Sequence, residues 1–108
     1  MISSGEEVGY LLKKWAAEPP ALLHLIVVDL GLRLSAVGLI TAVSGLAFDF
    51  EWEQGNLSFQ SLSNSTYIYE EPRDPPEYYL EKYKYLAWLE IKTPPSRRCM
   101  IMEIVPLD

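Results

Sequence analysis

The chain has 108 residues, is 49% hydrophobic and carries a formal net charge of −6. A chain of this length buries roughly two thirds of its unfolded surface, which fits one domain with one core. The acidic balance disfavours nucleic-acid binding, because phosphate backbones are repelled. A single cysteine and a single histidine exclude disulfide frameworks and zinc sites of the Cys/His type. We expect one domain over residues 1–108, with no cofactor and no metal.

The hydrophobic stretches do not predict a targeting or membrane segment. The N-terminal residues are acidic and contain no apolar run of signal-peptide length, so we expect no signal peptide. The longest uncharged run covers residues 34–48. It is shorter than the roughly 20 residues that a helix needs to cross a bilayer. We therefore expect a cytoplasmic protein with no membrane contact.

The N-terminal segment has the pattern of an amphipathic helix. Ser4 and Glu7 have the spacing of a capping box, in which each side chain bonds the backbone N–H of the other residue. Apolar residues follow at helical spacing. Pro19 and Pro20 end the pattern because proline lacks the N–H donor. The sequence predicts a helix over 4–17, with an apolar stripe formed by Val8, Leu11, Leu12 and Trp15.

The rest of the chain alternates in the two-residue period of β-strands. The clearest case puts Phe48, Phe50 and Trp52 on one side of a strand, with acidic residues on the other. Gly38, in the middle of a long strand, indicates a bend or bulge. The predicted strands cover residues 22–29, 32–43, 47–53, 57–62, 67–69, 83–93 and 97–105.

These elements predict a mainly β (α+β) fold. An N-terminal helix precedes a five- or six-stranded, strongly bent antiparallel sheet or small barrel, and covers one end of it. Within 83–93 the alternation puts Tyr83, Tyr85 and Ala87 on the same face. Residues 70–77 form an acidic loop with three prolines, which is too polar and too proline-rich for a packed element.

The order of helix, strand, glycine turn, long bent strand and third strand resembles the Sm-like (LSm) small barrels. The resemblance covers about half of the chain, and residues 38–48 are similar to the family's glycine-containing second strand and its continuation. It implies an Sm-like barrel and rings built by strand pairing between neighbouring copies. The uridine-binding Asp and Asn of the family do not carry over, since Ser44 and Gly45 occupy that loop, and the Arg-Gly pair is absent from 91–96.

Residues 20–28 are also similar to small proteins of environmental bacteria, some of them on mobile gene cassettes. This similarity identifies no site.

Six of the seven tyrosines fall within nineteen residues around the acidic loop. Tyrosine combines a large ring with a hydroxyl group, which suits interfaces and stacking platforms. Strand propensity on a half-exposed sheet face explains the cluster as well. An interface between copies and base stacking stay open as alternatives. The candidate interface residues are Tyr67, Tyr69, Tyr78, Tyr79, Tyr83 and Tyr85.

Other reactive residues have ordinary structural explanations. We expect His24 to be a packed or interfacial histidine and Cys99 a packed strand residue. Asp49 and Glu51 resemble a carboxylate pair, but strand alternation alone places acids there. The acids at 70–81 lack calcium-loop spacing, so we expect a solvated loop. We expect Arg97–Arg98 to lie in a solvated turn, with an anion contact as the alternative.

The sequence leaves three functional hypotheses. The first is a non-enzymatic small barrel that self-associates through exposed strand edges or the tyrosine-rich region and serves as an assembly or binding module. The second is Sm-like binding of single-stranded RNA. The third is an enzyme acting on a small molecule, which would need a deep pocket that gathers His24 with two or more carboxylates.

Overall fold

The computed structural model of the protein describes residues 2–61, 63–72, 74 and 77–107. Its helix α1 spans Gly5–Ala16, and the predicted capping box at Ser4 and Glu7 is confirmed. Val8, Leu12 and Trp15 of its apolar stripe are buried. The indole N–H of Trp15 donates to a carboxylate oxygen of Glu103 over 3.1 Å, which ties the last turn of the helix to the sheet.

The strands form one antiparallel sheet. All seven predicted segments are confirmed as strands, and a two-residue strand that the sequence did not predict, β1, precedes the helix. The bounds are β1 Ile2–Ser3, β2 Leu23–Asp29, β3 Leu32–Ser44, β4 Ala47–Trp52, β5 Gly55–Gln60, β6 Thr66–Glu70, β7 Tyr83–Thr93 and β8 Arg97–Pro106. Their order across the sheet is β1-β6-β7-β8-β2-β3-β4-β5.

The number of strands differs from the prediction, and of the two predicted forms, an open bent sheet and a small barrel, the structure has the open sheet. In the described residues the sheet has eight strands instead of the expected five or six, because β5 and β6 both pair with a neighbouring strand and β1 adds a further strand. It does not close into a barrel, since its two edge strands, β1 and β5, do not pair with each other in the described residues. The bent antiparallel sheet with one N-terminal helix is confirmed.

Apolar side chains pack on both faces of the sheet. The face under α1 carries the larger core, which we call the helix-side core. It contains Phe48 and Phe50, with Trp52 packed against it, so the predicted common face of these aromatic residues is confirmed. The opposite face carries a smaller core around Ile26, Met100 and Met102, covered by Tyr78 and Leu80.

Two bulges change which face a residue occupies. In β7 the pairing register shifts between Tyr85 and Ala87, because two residues there oppose one on β8. Tyr85 therefore packs in the smaller core while Ala87 packs in the helix-side core, and the predicted common face of Tyr83, Tyr85 and Ala87 is wrong. In β3 a second shift lies between Ile40 and Ala42, close to the bend expected at Gly38.

The sheet curls strongly on its β5 side. A Cβ atom on Gly38 would lie 2.0 Å from the carbonyl oxygen of Glu51, so only glycine permits this approach of β3 and β4. The curl brings β5 toward the first residue of β8. Arg97 donates from Nη2 to the carbonyl oxygen of Gln60 over 2.7 Å, across the open side of the curl.

Candidate functional site: a free sheet edge beside an apolar cavity

Strand β5 forms one edge of the sheet and has the sequence Gly-Asn-Leu-Ser-Phe-Gln. It contains no charge, no proline and no bulge. Within the described chain no strand pairs with its outer side. Native edges are usually protected by lysine, proline, bulges or covering segments, because unpaired N–H and C=O groups attract other chains. Strand β5 has no lysine, no proline and no bulge.

The turn before β5 determines which backbone groups face outward. The sequence predicted a longer turn over 53–56, but only Glu53 and Gln54 form it, and Trp52 pairs directly with Gly55. In such a two-residue hairpin the flanking pair is hydrogen-bonded, and the bonded pairs then alternate. The N–H and C=O groups of Leu57 and Phe59 therefore face β4. Those of Asn56 and Ser58 face away from the sheet. The last residue predicted for this strand, Leu62, lies outside the described residues.

The C-terminal end of β5 is closed by Arg97. Its guanidinium lies 4.6 Å from the centroid of the Phe59 ring, in addition to its bond to the Gln60 carbonyl. The solvated turn expected for Arg97–Arg98 is wrong, because both residues are half-buried at the start of β8. Arg98 pairs with the buried carboxylate of Glu90. The free part of the β5 edge is therefore centred on residues 56–58.

An apolar cavity of about 320 Å³ lies beside this edge, on the helix-side face of the sheet. It lies between β2, β3, β4 and β5. Asp29 is the only acid among the described residues that line it, and Leu32, which is 76% exposed, also lines it. The apolar part of the lining consists of Leu25, Val27, Leu34, Phe48, Phe50, Leu57 and Phe59.

The structure divides the six candidate tyrosines between the two faces. Tyr67 is buried in the helix-side core, and Tyr69 packs against it. Tyr78, Tyr83 and Tyr85 belong to the smaller core on the opposite face. Tyr79 is exposed, at 52% of its surface. The six residues are not brought together in one patch, and five of them contribute to packing.

His24 is buried and joined to two hydroxyl groups. Its Nδ1 lies 2.9 Å from the hydroxyl of Tyr85, and its Nε2 lies 2.9 Å from the hydroxyl of Ser35. The Tyr85 oxygen also accepts the backbone N–H of Leu80 over 2.6 Å. Burial, helped by the charge of Arg33, lowers the pKa of His24 to about 4, so its imidazole is neutral near pH 7. The packed histidine expected from the sequence is confirmed.

The remaining reactive residues have structural surroundings. Cys99 is fully buried in β8, as expected, and burial raises the pKa of its thiol well above the usual range. Asp49 accepts a hydrogen bond of 2.7 Å from the Ser58 hydroxyl. Of the acidic loop, Arg73, Pro75 and Pro76 lie outside the described residues. Among the residues that are described, no three His, Cys, Asp or Glu side chains form a group that could hold a metal ion.

Sequence reasoning missed the edge residues Asn56 and Ser58 and the contact partners of Arg97. The uncharged alternation from Gly55 to Gln60 is the available signal, but the predicted turn is two residues too long and includes Gly55 and Asn56. Ser35 and Tyr85 could not be linked to His24 from spacing, since the three residues lie on three different strands.

No protein-family model, no curated protein and no solved structure matches this chain. The resemblance to Sm-like barrels therefore stays a prediction. In the described part of the chain, the helical segment is too short to span a membrane.

Proposed function

We propose that this protein is a non-enzymatic assembly module, and that two copies join through their β5 strands. The observation that carries the proposal is the uncharged edge at residues 56–58, whose backbone donors and acceptors face outward. An added strand would satisfy these groups and continue the sheet. A second copy is the partner that offers the same groups in a self-complementary, two-fold arrangement.

The contacts of Gln60 select the register of this pairing. Residues that oppose each other in an antiparallel pair have their side chains on the same face. In a two-fold pair of β5 strands, one residue must therefore oppose its own copy, with the axis midway between the two. An axis at Ser58 would require the carbonyl of Gln60, which already accepts from Arg97. If Leu57 opposes its own copy, the hydrogen bonds between the copies involve only the outward N–H and C=O groups of Asn56 and Ser58. Asn56 then opposes Ser58 of the second copy, and about four backbone hydrogen bonds form.

The apolar side chains favour the same arrangement. Leu57 and Phe59 are half-buried and line the apolar cavity, so part of their surface stays in contact with water in a single copy. With the axis at Leu57, the two Leu57 side chains meet on the helix-side face. The contact is small, and we expect a weak dimer that forms at high protein concentration.

The other hypotheses have less support. Base stacking needs tyrosines on one exposed surface, whereas these occupy both faces and the chain is acidic. An enzyme was expected to gather His24 with carboxylates, whereas the ring nitrogens of His24 contact hydroxyl groups. A cytoplasmic location stays a prediction from the sequence.

Sedimentation equilibrium of two variants tests the proposal. Ser58→Pro removes the outward N–H without removing a bond to β4, because proline is tolerated at such an edge position. Ser58→Ala loses the same hydroxyl bond to Asp49 but keeps the N–H. We expect the natural protein and Ser58→Ala to dimerise, and Ser58→Pro to stay monomeric with unchanged circular dichroism. A natural protein that stays strictly monomeric at about 1 mM would contradict the proposal.

A further inference from the structure

We propose that the cavity between β2 and β5 is a binding site for a small aliphatic or aromatic amine, with Asp29 holding the cationic head. The proposal does not require the pairing of β5, although Leu57 and Phe59 border both the cavity and the edge. The size of the cavity, its apolar walls and the position of Asp29, the one acid among the described lining residues, support this site.

The dimensions of the cavity favour a small molecule over a peptide. A volume of about 320 Å³ lies at the lower end of the range for ligand pockets. A single turn of helix, about 10 Å across and about 5.4 Å long, already occupies more than this volume. Helix α1 packs on the same face of the sheet and is absent from the residues that line the cavity.

The walls provide apolar contact for the body of the ligand. Phe48 and Phe59 stack with their ring centroids 5.2 Å apart, and both rings line the cavity. Leu25 and Val27 of β2 form the opposite wall and alternate with residues of the other face. Burying apolar surface here contributes roughly 25 cal/mol per Å² of ligand, which drives binding without any specific polar contact.

Asp29 provides the polar end. It follows Leu25 and Val27 in the two-residue period of β2, so it lies on the same face, and it lines the cavity. The hydroxyl of Ser96 donates to its Oδ1 over 2.6 Å. Its second oxygen makes no hydrogen bond with the described residues. An ammonium group in the cavity can donate to this oxygen, and the charges attract each other.

Two guanidinium groups of the described residues lie near the cavity, and both contact other groups of the protein. Arg97 lies against the Phe59 ring and donates to the carbonyl oxygen of Gln60. Arg33 lies among the lining residues, but its guanidinium lies 4.2 Å from the centroid of the Tyr78 ring, and Tyr78 packs in the core on the opposite face. The net charge of −6 also raises the local concentration of cations over anions. A carboxylate ligand in the cavity would face Asp29 and be repelled.

Titration with three ligands of matched length tests the site. Hexylamine, 1-hexanol and hexanoate are added to the protein at pH 7, and binding is followed by the amide chemical shifts of β2 and β5. We expect hexylamine to bind at least about tenfold more tightly than hexanoate, with 1-hexanol between them. Asp29→Asn keeps the acceptor for Ser96, and we expect it to weaken hexylamine about tenfold and leave 1-hexanol unchanged.

A matched control separates the site from general charge effects. Glu51→Gln removes one negative charge from an exposed residue of β4 outside the cavity, and should leave all three affinities unchanged. Three results would overturn the proposal: no saturable binding of any ligand, hexanoate as tight as hexylamine, or hexylamine binding that is unaffected by Asp29→Asn. None of these results bears on dimerisation, since Asp29→Asn leaves the β5 edge intact.

Discussion

The two sides of the sheet differ in how their outermost long strands, β6 and β5, are covered. At the β6 edge, β1 pairs with Tyr67 and Ile68, and helix α1 begins immediately after it. At the other edge no strand of the described residues covers β5, and Arg97 closes its last residue. A short N-terminal segment thus protects one edge within the chain. The unprotected edge is the one whose backbone groups and apolar side chains suit a second copy.

The contrast shows why composition alone does not identify an unprotected sheet edge. Tyrosine enrichment marks the β6 and β7 side of the sheet, yet most of those rings are packed inside one copy. The β5 edge is chemically plain, with asparagine, serine and glutamine facing outward. The β5 edge can pair with another strand through its unpaired backbone N–H and C=O groups, and these groups are the same for nearly every residue type.

The largest expected effect comes from Gly38→Ala. The added Cβ would lie 2.0 Å from a backbone oxygen of β4, so β3 and β4 must move apart. We expect a loss of about 3 kcal/mol or more in the free energy of unfolding, measured by denaturant titration. The curl, the cavity and the free edge depend on this contact, so dimerisation should also be lost.

A control for this prediction is Gly31→Asn in the β2–β3 turn. Gly31 has φ of 82°, which asparagine adopts more readily than other residues, and a Cβ there meets no atom within 4 Å. We expect Gly31→Asn to cost far less than Gly38→Ala. Equal losses for the two variants would show that the close approach of β3 and β4 is not what shapes the β5 side.

A smaller effect concerns the hydrogen bonds that join His24 of β2 to Tyr85 of β7 and to Ser35 of β3. The pKa of His24 falls from 6.5 to about 4 on folding, so the unfolded chain binds a proton that the folded chain excludes. The stability that depends on neutral His24 is complete above about pH 6.5 and decreases as the pH falls toward 4. We expect a loss of up to about 3 kcal/mol across this window.

Denaturant titrations at several pH values check this expectation. Carboxylates also titrate in acid, so the natural protein is compared with His24→Gln, which lacks the titrating group. We expect the variant to be less stable at pH 7 but to lose less stability on acidification. Parallel pH profiles for the two proteins would show that the His24 site does not set the acid response.

The sequence predicted local structure well where one physical signal dominated. The capping box at Ser4, the apolar stripe of the helix and the common face of Phe48, Phe50 and Trp52 follow from fixed periods of 3.6 and 2 residues. The burial of Cys99 and His24 followed from their position in apolar strands. These features depend on neighbours along the chain, which a sequence displays directly.

The errors arose where contacts between distant segments decide the structure. The bulge before Ala87 reverses the face of Tyr85, because pairing with β8 and packing of Tyr78 and Leu80 outweigh simple alternation. The two-residue turn at Glu53–Gln54 carries no Asn-Gly or Asp-Gly signal, so the start of β5 was misplaced. Arg97 reaches β5 only because the sheet curls. The free edge could not be identified before the strand order was known.

Disulfide crosslinking of Leu57→Cys is the most direct test of the pairing between two β5 strands. With the axis at Leu57, the Cα atoms of this position in the two copies would lie about 4.5 Å apart in a non-hydrogen-bonded pair, within the range for a disulfide. Ser58→Cys is the control, since the same register separates its copies by more than about 7 Å. Cys99 is buried and should not react. We predict a covalent dimer under mild oxidation for Leu57→Cys alone; crosslinking of neither variant, or of both equally, would contradict the account.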